Sequence, residues 1–164
     1  MAARNQTGTL FEEEQRFTQT WLWVLVLTPV VVIGTTAALA PRPRGAEGAA
    51  AMGIVAVALG IAVLVFALAK LTTEITAAEL HLRYRPFFVN KHIAIGDIAR
   101  LEIVNYDIWQ AGYGIHYSHW GWVYNTSGNE GIHLVLRSGK QMMIGTQRPR
   151  EFAAALQQAG AGQA

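Results

Sequence analysis

Two uninterrupted apolar runs constrain this chain more than anything else in it. From Trp21 to Ala40 it reads WLWVLVLTPVVVIGTTAALA, and from Ala49 to Ala69 AAAMGIVAVALGIAVLVFALA, with no Asp, Glu, Lys, Arg or His in either. A bilayer-spanning helix needs about 20 predominantly apolar residues, whereas a helix lying on a soluble core keeps a polar stripe along one side. Neither run has such a stripe. Between them lies PRPRGAEG, whose prolines, glycines and charges suit a short turn. The pattern predicts a transmembrane helical hairpin over 21–69, with spans at 21–40 and 49–69.

Orientation follows from Lys and Arg near the ends of the spans. Arg4, Arg16, Lys70, Arg83 and Arg85 flank the outer ends, against Arg42 and Arg44 in the turn, which predicts a multi-pass membrane protein with both termini in the cytoplasm. A cleaved signal peptide, suggested by Ala38-Leu39-Ala40, fits less well. The run is longer than a signal h-region and a second span follows at once. Phe17, Trp21 and Trp23 read as an aromatic belt at headgroup level. Ahead of them, residues 1–20 read as a cytoplasmic arm, partly interfacial. Leu10, Phe11 and Phe17 with Thr9 before Glu12 predict a short amphipathic helix there.

Within the spans, Pro29 frees the carbonyl of Leu25, and Thr28 is placed to compensate. Gly34-x-x-x-Ala38, Ala49-x-x-x-Gly53 and Ala56-x-x-x-Gly60 carry the small-residue spacing that allows close helix approach, within the hairpin or against a membrane partner.

After Ala69 the period changes from none to two. Leu71 to Thr76 and Leu80 to Arg85 alternate apolar and polar residues around Ala77-Ala78-Glu79 and predict a β-hairpin that Pro86 ends. Ile93 to Ile98 leads into a strand over Ala99 to Tyr106. Ile115 to Tyr124 and Gly131 to Arg137 are further strands, and Lys140 to Ile144 pairs with the latter across Ser138-Gly139. Pro149 opens a terminal helix with Phe152 and Leu156 on one face, and Gly160 closes it. The second domain, 70–159, is thus mostly β with a C-terminal helix, followed by a flexible tail over 160–164.

Several chemistries are disfavoured. A net charge of +2 with signs interleaved along the chain is no nucleic-acid footprint, and zero cysteines exclude disulfides and thiol chemistry. His116 and His119 are close in sequence, but positions three apart in a strand face opposite ways and no carboxylate joins them. Ser118 and Ser127 lack a strand–elbow–helix context. No catalytic, cofactor or metal residue is expected, and no charged residue in the spans suggests transport.

A strand Thr73-Glu74-Ile75-Thr76 entered directly from two spans, an Ile93-to-Ile98 step with Asp97, and short strands closed by one helix resemble the bacterial pleckstrin-homology-like domains. Gly112-Tyr-Gly-Ile115, Gly121-Trp122, Tyr124-Asn125-Thr-Ser-Gly128-Asn129-x-Gly131 and Ile144-Gly145-Thr-Gln-Arg148-Pro149 are similar to a prokaryotic family of short two-span membrane proteins of unknown function. The resemblance implies an antiparallel barrel with a capping helix and a prokaryotic inner-membrane address, and no activity. The basic cluster with which eukaryotic members bind inositol phosphates is reduced here to Arg83 and Arg85 beside Glu74 and Glu79.

Residues 106–131 are crowded with rings and glycines, and Trp109, Tyr113, Trp120 and Trp122 are the expected interaction surface. Arg83, Arg85 and Lys91 are the expected lipid-headgroup contacts. The expected function is a non-enzymatic, membrane-anchored interaction or scaffold module, an accessory subunit with the bilayer and either a membrane protein or its own copies as partners. The alternative is a small membrane enzyme or ligand sensor with its site near 106–131.

Overall fold

The computed structural model describes residues 8–39, 46–106, 112 and 114–162. The chain divides into two compact units, one comprising residues 17–69 and the other the flanking segments, up to Arg16 and from Lys70 onward.

The first unit is a pair of helices, α1 (Thr20–Leu39) and α2 (Ala46–Leu68), both long and apolar enough to cross a membrane. Nearly all their apolar side chains are exposed, a surface of the kind that lipid or a partner covers. Pro29 is accommodated inside α1. The Thr28 hydroxyl donates to Val24 O at 2.6 Å, not to the freed carbonyl of Leu25, and Thr35 and Thr36 likewise bond back to carbonyls of the preceding turn. Such back-bonding hides hydroxyls where water is absent. Phe17 packs on Phe66 with ring centroids 5.3 Å apart, and Trp23 Nε1 donates to Phe17 O at 2.9 Å. Of the expected aromatic belt, Phe17 is buried, Trp23 half-buried and Trp21 exposed. The small-residue motifs do not produce close packing: a methyl added at Gly34, Gly53 or Gly60 would meet nothing within 4 Å.

The second unit is mostly β. Its strands are β1 (Thr9–Arg16), β2 (Lys70–Thr76), β3 (Glu79–Arg85), β4 (Val89–Ala94), β5 (Ile98–Asn105), β6 (Gly114–Ser118), β7 (Gly121–Asn125), β8 (Glu130–Leu136) and β9 (Gln141–Gly145), followed by α3 (Pro149–Gln158). They form two sheets, ordered β1-β2-β3-β4 and β5-β8-β9-β7-β6. Among the described residues the strands pair into these two sheets, and β7 runs parallel to β9. Both sheets turn an apolar face to one core, where Leu71, Leu82, Tyr84, Ile132, Ile144, Phe152 and Leu156 are fully buried. At about 25 cal/mol per Å² of apolar surface removed from water, such a shared core is the main stabilising term.

Three sequence expectations change. Residues 9–16 form a strand, not an amphipathic helix: Phe11, Glu13 and Gln15 are buried while Glu12, Glu14 and Arg16 are exposed, a period of two. Pairing with β2, from Thr9 opposite Thr76 to Arg16 opposite Lys70, satisfies a backbone edge that a helix would leave open. The run from Ile115 to Tyr124 is two strands, because His119-Trp120 forms a two-residue turn between Ser118 and Gly121. Gly121 makes that turn possible. Its φ is +78°, and a Cβ there would lie 2.1 Å from Gln141 O, so only glycine fits. The expected tail from 160 is docked as far as Gly162, through Ala161 N to Leu156 O at 2.9 Å and Gly162 N to Ile98 O at 3.0 Å.

The β2–β3 hairpin, the β8–β9 hairpin and the terminal helix with Pro149 at its start agree with the sequence reading.

Candidate functional site

Alternation along β3 sends Leu80, Leu82 and Tyr84 into the core and Glu79, His81, Arg83 and Arg85 outward. Register then builds rows across the outer face of the four-stranded sheet. Arg16, Lys70 and Arg85 stand side by side on β1, β2 and β3. Glu14 lies behind them, with its carboxylate on Lys70 and, at 2.9 Å, on Arg16. The Lys70 and Arg16 hydrogen bonds hold Glu14 below the usual carboxylate pKa range. Cations therefore dominate the end of the sheet from which the chain runs into residues 17–69.

The turn from β3 to β4 leaves the sheet at this same end and carries Phe87 and Phe88. Phe88 is 96% exposed and Phe87 48%. Phe88 also has φ +54°, a conformation that costs a bulky residue of order 1–3 kcal/mol. Phe87 leans on Tyr84 with centroids 5.2 Å apart. Two exposed phenylalanines beside a row of cations form an amphipathic rim. Its sequence signal is Arg83-Tyr-Arg-Pro-Phe-Phe88, where basic and aromatic residues adjoin around the proline that ends β3.

Among the expected headgroup contacts, Arg83 and Arg85 are exposed on the outer face. Lys91 is on the other face, opposite Leu82, with its ammonium 5.8 Å from the Tyr124 ring centroid.

The expected aromatic surface divides. Trp109 and Tyr113 lie outside the described residues. Trp120 is half-buried, its ring tilted against that of His119 with centroids 3.7 Å apart, and packed with Tyr106, Val123 and Met143 in a small second core. Trp122 is 48% exposed and meets the exposed Tyr117 edge to face at 5.8 Å.

Two of the motifs quoted for the resemblance, 124–131 and 144–149, converge on β1. Gln15 Nε2 donates to Gly145 O at 2.7 Å, and Gln15 Oε1 accepts from Thr126 at 3.1 Å and Ser127 at 3.3 Å. Glu13 accepts from the Thr146 hydroxyl at 2.5 Å and from Gln147 N at 2.9 Å. Arg148 adds a hydrogen bond to Glu12 O and lies over the Phe11 ring at 4.6 Å. These buried groups bond one another, as burial requires. Their geometry is that of a clasp holding β1, with the Ser127 hydroxyl bonded to Gln15 and Gln147.

No family model matches this chain, and neither curated proteins nor solved structures yield a significant match to it.

Proposed function

We propose that this chain is a non-enzymatic, membrane-anchored interaction module: a pleckstrin-homology-like domain tied by a two-span hairpin to a prokaryotic cytoplasmic membrane, with both termini in the cytoplasm. The observation that carries the reading is the rim made by Phe87, Phe88, Arg85, Lys70 and Arg16 at the end of the sheet from which the chain leaves for the apolar helices. Exposed aromatics are favoured at a bilayer interface, and each cation near an anionic surface adds about 1 kcal/mol. A domain held at the bilayer by this rim keeps a fixed orientation. The Tyr117–Trp122 pair is then the surface offered to a membrane-protein partner or a second copy, in keeping with an accessory subunit. Edge-to-face aromatics of this kind are rigid, amphipathic contact groups.

The chain has no cysteine, so a single Phe88→Cys variant of the full chain in nanodiscs accepts one environment-sensitive fluorophore. The expected result is a blue-shifted emission quenched by shallow spin-labelled lipid. The same probe at Ala77, at the opposite end of the β2–β3 hairpin, stays unquenched. Equal exposure of both probes to water would overturn the reading.

A further inference from the structure

Farther from the basic rim, the outer face of the four-stranded sheet changes its chemistry. Glu79 and His81 alternate onto it from β3, and the β3–β4 register sets His81 directly opposite His92. Directly opposed residues bring their side chains within reach. His81 Nε2 lies 2.7 Å and His92 Nδ1 3.4 Å from the same carboxylate oxygen, Glu79 Oε2, and the two imidazole rings are 4.2 Å apart. One ligand atom from each of the three residues lies within 4.8 Å of the other two.

We propose that Glu79, His81 and His92 form a binding site for a divalent transition metal of the zinc class. Two imidazoles and a carboxylate suit zinc, cobalt, nickel or copper, whereas calcium and magnesium take oxygen ligands. Metal–ligand bonds of about 2.0–2.2 Å in a tetrahedron place neighbouring donors roughly 3.3–3.5 Å apart. The His92–Glu79 separation already has that value. The His81–Glu79 hydrogen bond has only to lengthen by a few tenths of an ångström, through rotation of side chains that are not in the core. With three protein ligands on an accessible face, the fourth position is left to water or to a donor from a partner. Glu74, opposite His81 on β2, adds a second carboxylate to the same row, and its negative charge favours a dication there. Its Oε1 is meanwhile held by the Thr9 hydroxyl at 3.1 Å.

The site is independent of the membrane rim, and its test does not depend on it. The full chain, purified in mild detergent without a histidine tag and stripped with a chelator, is titrated with zinc chloride in a calorimeter. Magnesium chloride serves as the comparison. His92→Ala and Glu79→Gln probe the ligands, and His133→Ala, at an exposed histidine bonded to Gln141, is the control. The expected result is one zinc per chain at micromolar affinity, no heat from magnesium, affinity lowered about tenfold or more in each ligand variant, and none lost in the control. Melting of the metal-free variants near the parent temperature shows that they are folded. Zinc affinity unchanged by His92→Ala and Glu79→Gln would overturn the proposal, as would an equal loss in His133→Ala. If a variant fails to fold, tetrahedral cobalt absorption in the parent chain decides: its absence overturns the site.

Discussion

Arg16 and Lys70 face each other across β1 and β2, although the entire apolar hairpin lies between them in sequence. The hairpin is thus an insertion into a β-hairpin, and the second domain is built from both sides of it. A two-residue Asn-Gly turn in place of residues 17–69 should therefore give a soluble, folded domain, since such turns join antiparallel neighbours in register. The fragment beginning at Lys70, which lacks β1, should be less stable and prone to associate through the open edge of β2. Circular dichroism and size-exclusion chromatography of the two proteins check this.

The clasp on β1 has a measurable cost when broken. Gln15→Leu removes the one side chain that bonds Gly145 O, Thr126 and Ser127 together. It should destabilise the protein by about 1–3 kcal/mol, the cost of a buried acceptor that loses its hydrogen bond, while Ser127 keeps its bond from Gln147. Thr9→Ala, at an exposed position of the same strand, should cost under about 1 kcal/mol. Denaturant melts of both variants give the comparison.

Leu156 is fully buried on α3, and Phe152 beside it meets Phe11 edge to face at 5.1 Å. Leu156→Ala should cost about 2–5 kcal/mol through the cavity left behind, and Leu156→Asp should unfold the β domain because an unpaired charge is not tolerated there. Near-ultraviolet dichroism would report both, and retention of the parent melting curve by the Asp variant would show that the helix is not docked.

Gly121→Ala forces a side chain into the left-handed region and onto Gln141 O. The strain of about 1–2 kcal/mol adds to an overpacking penalty of about 1–3 kcal/mol, so the variant should be among the most damaging single-methyl additions. Gly139→Ala also has positive φ, but an added Cβ there meets nothing within 4 Å, so the melting difference between the two variants isolates the clash.

Burial holds the His116 imidazole below its ordinary pKa of 6.5, and its Nε2 has no hydrogen-bond partner among the described residues. With the folded value below the unfolded one, the unfolded chain binds more protons, so stability rises with pH. That contribution is complete above 6.5 and is lost as pH falls from there through the lowered folded value. His116→Leu should remove this part of the acid sensitivity. Glu14 and Glu79, whose pKa values are lowered by their cationic and imidazole hydrogen bonds, contribute only at more acidic pH, below the ordinary carboxylate value of 4.5. Melting temperatures at pH 7.5 and 5.5 for parent and variant separate the two windows.

Local sequence determined the parts of this protein that depend on neighbours along the chain. Continuous apolar composition over 21–40 and 49–69 is enough to specify helices that suit lipid, because each residue's transfer cost acts independently of distant contacts. Alternation specified β2, β3 and β8, and Pro149 with Phe152 and Leu156 specified α3. Only the tertiary structure decided β1. Leu-Phe-Glu-Glu-Glu-Gln-Arg is compatible with a helical or a strand period, and the choice rests on an edge that β2 supplies from beyond the hairpin. The same holds for the sites. His116 and His119 look paired in sequence, yet it is His81 and His92 that meet, and Arg16, Lys70 and Arg85 form a row for the same reason. Strand register converts distant positions into neighbours, and register is set by burying whole faces at once, so no short stretch of sequence contains it.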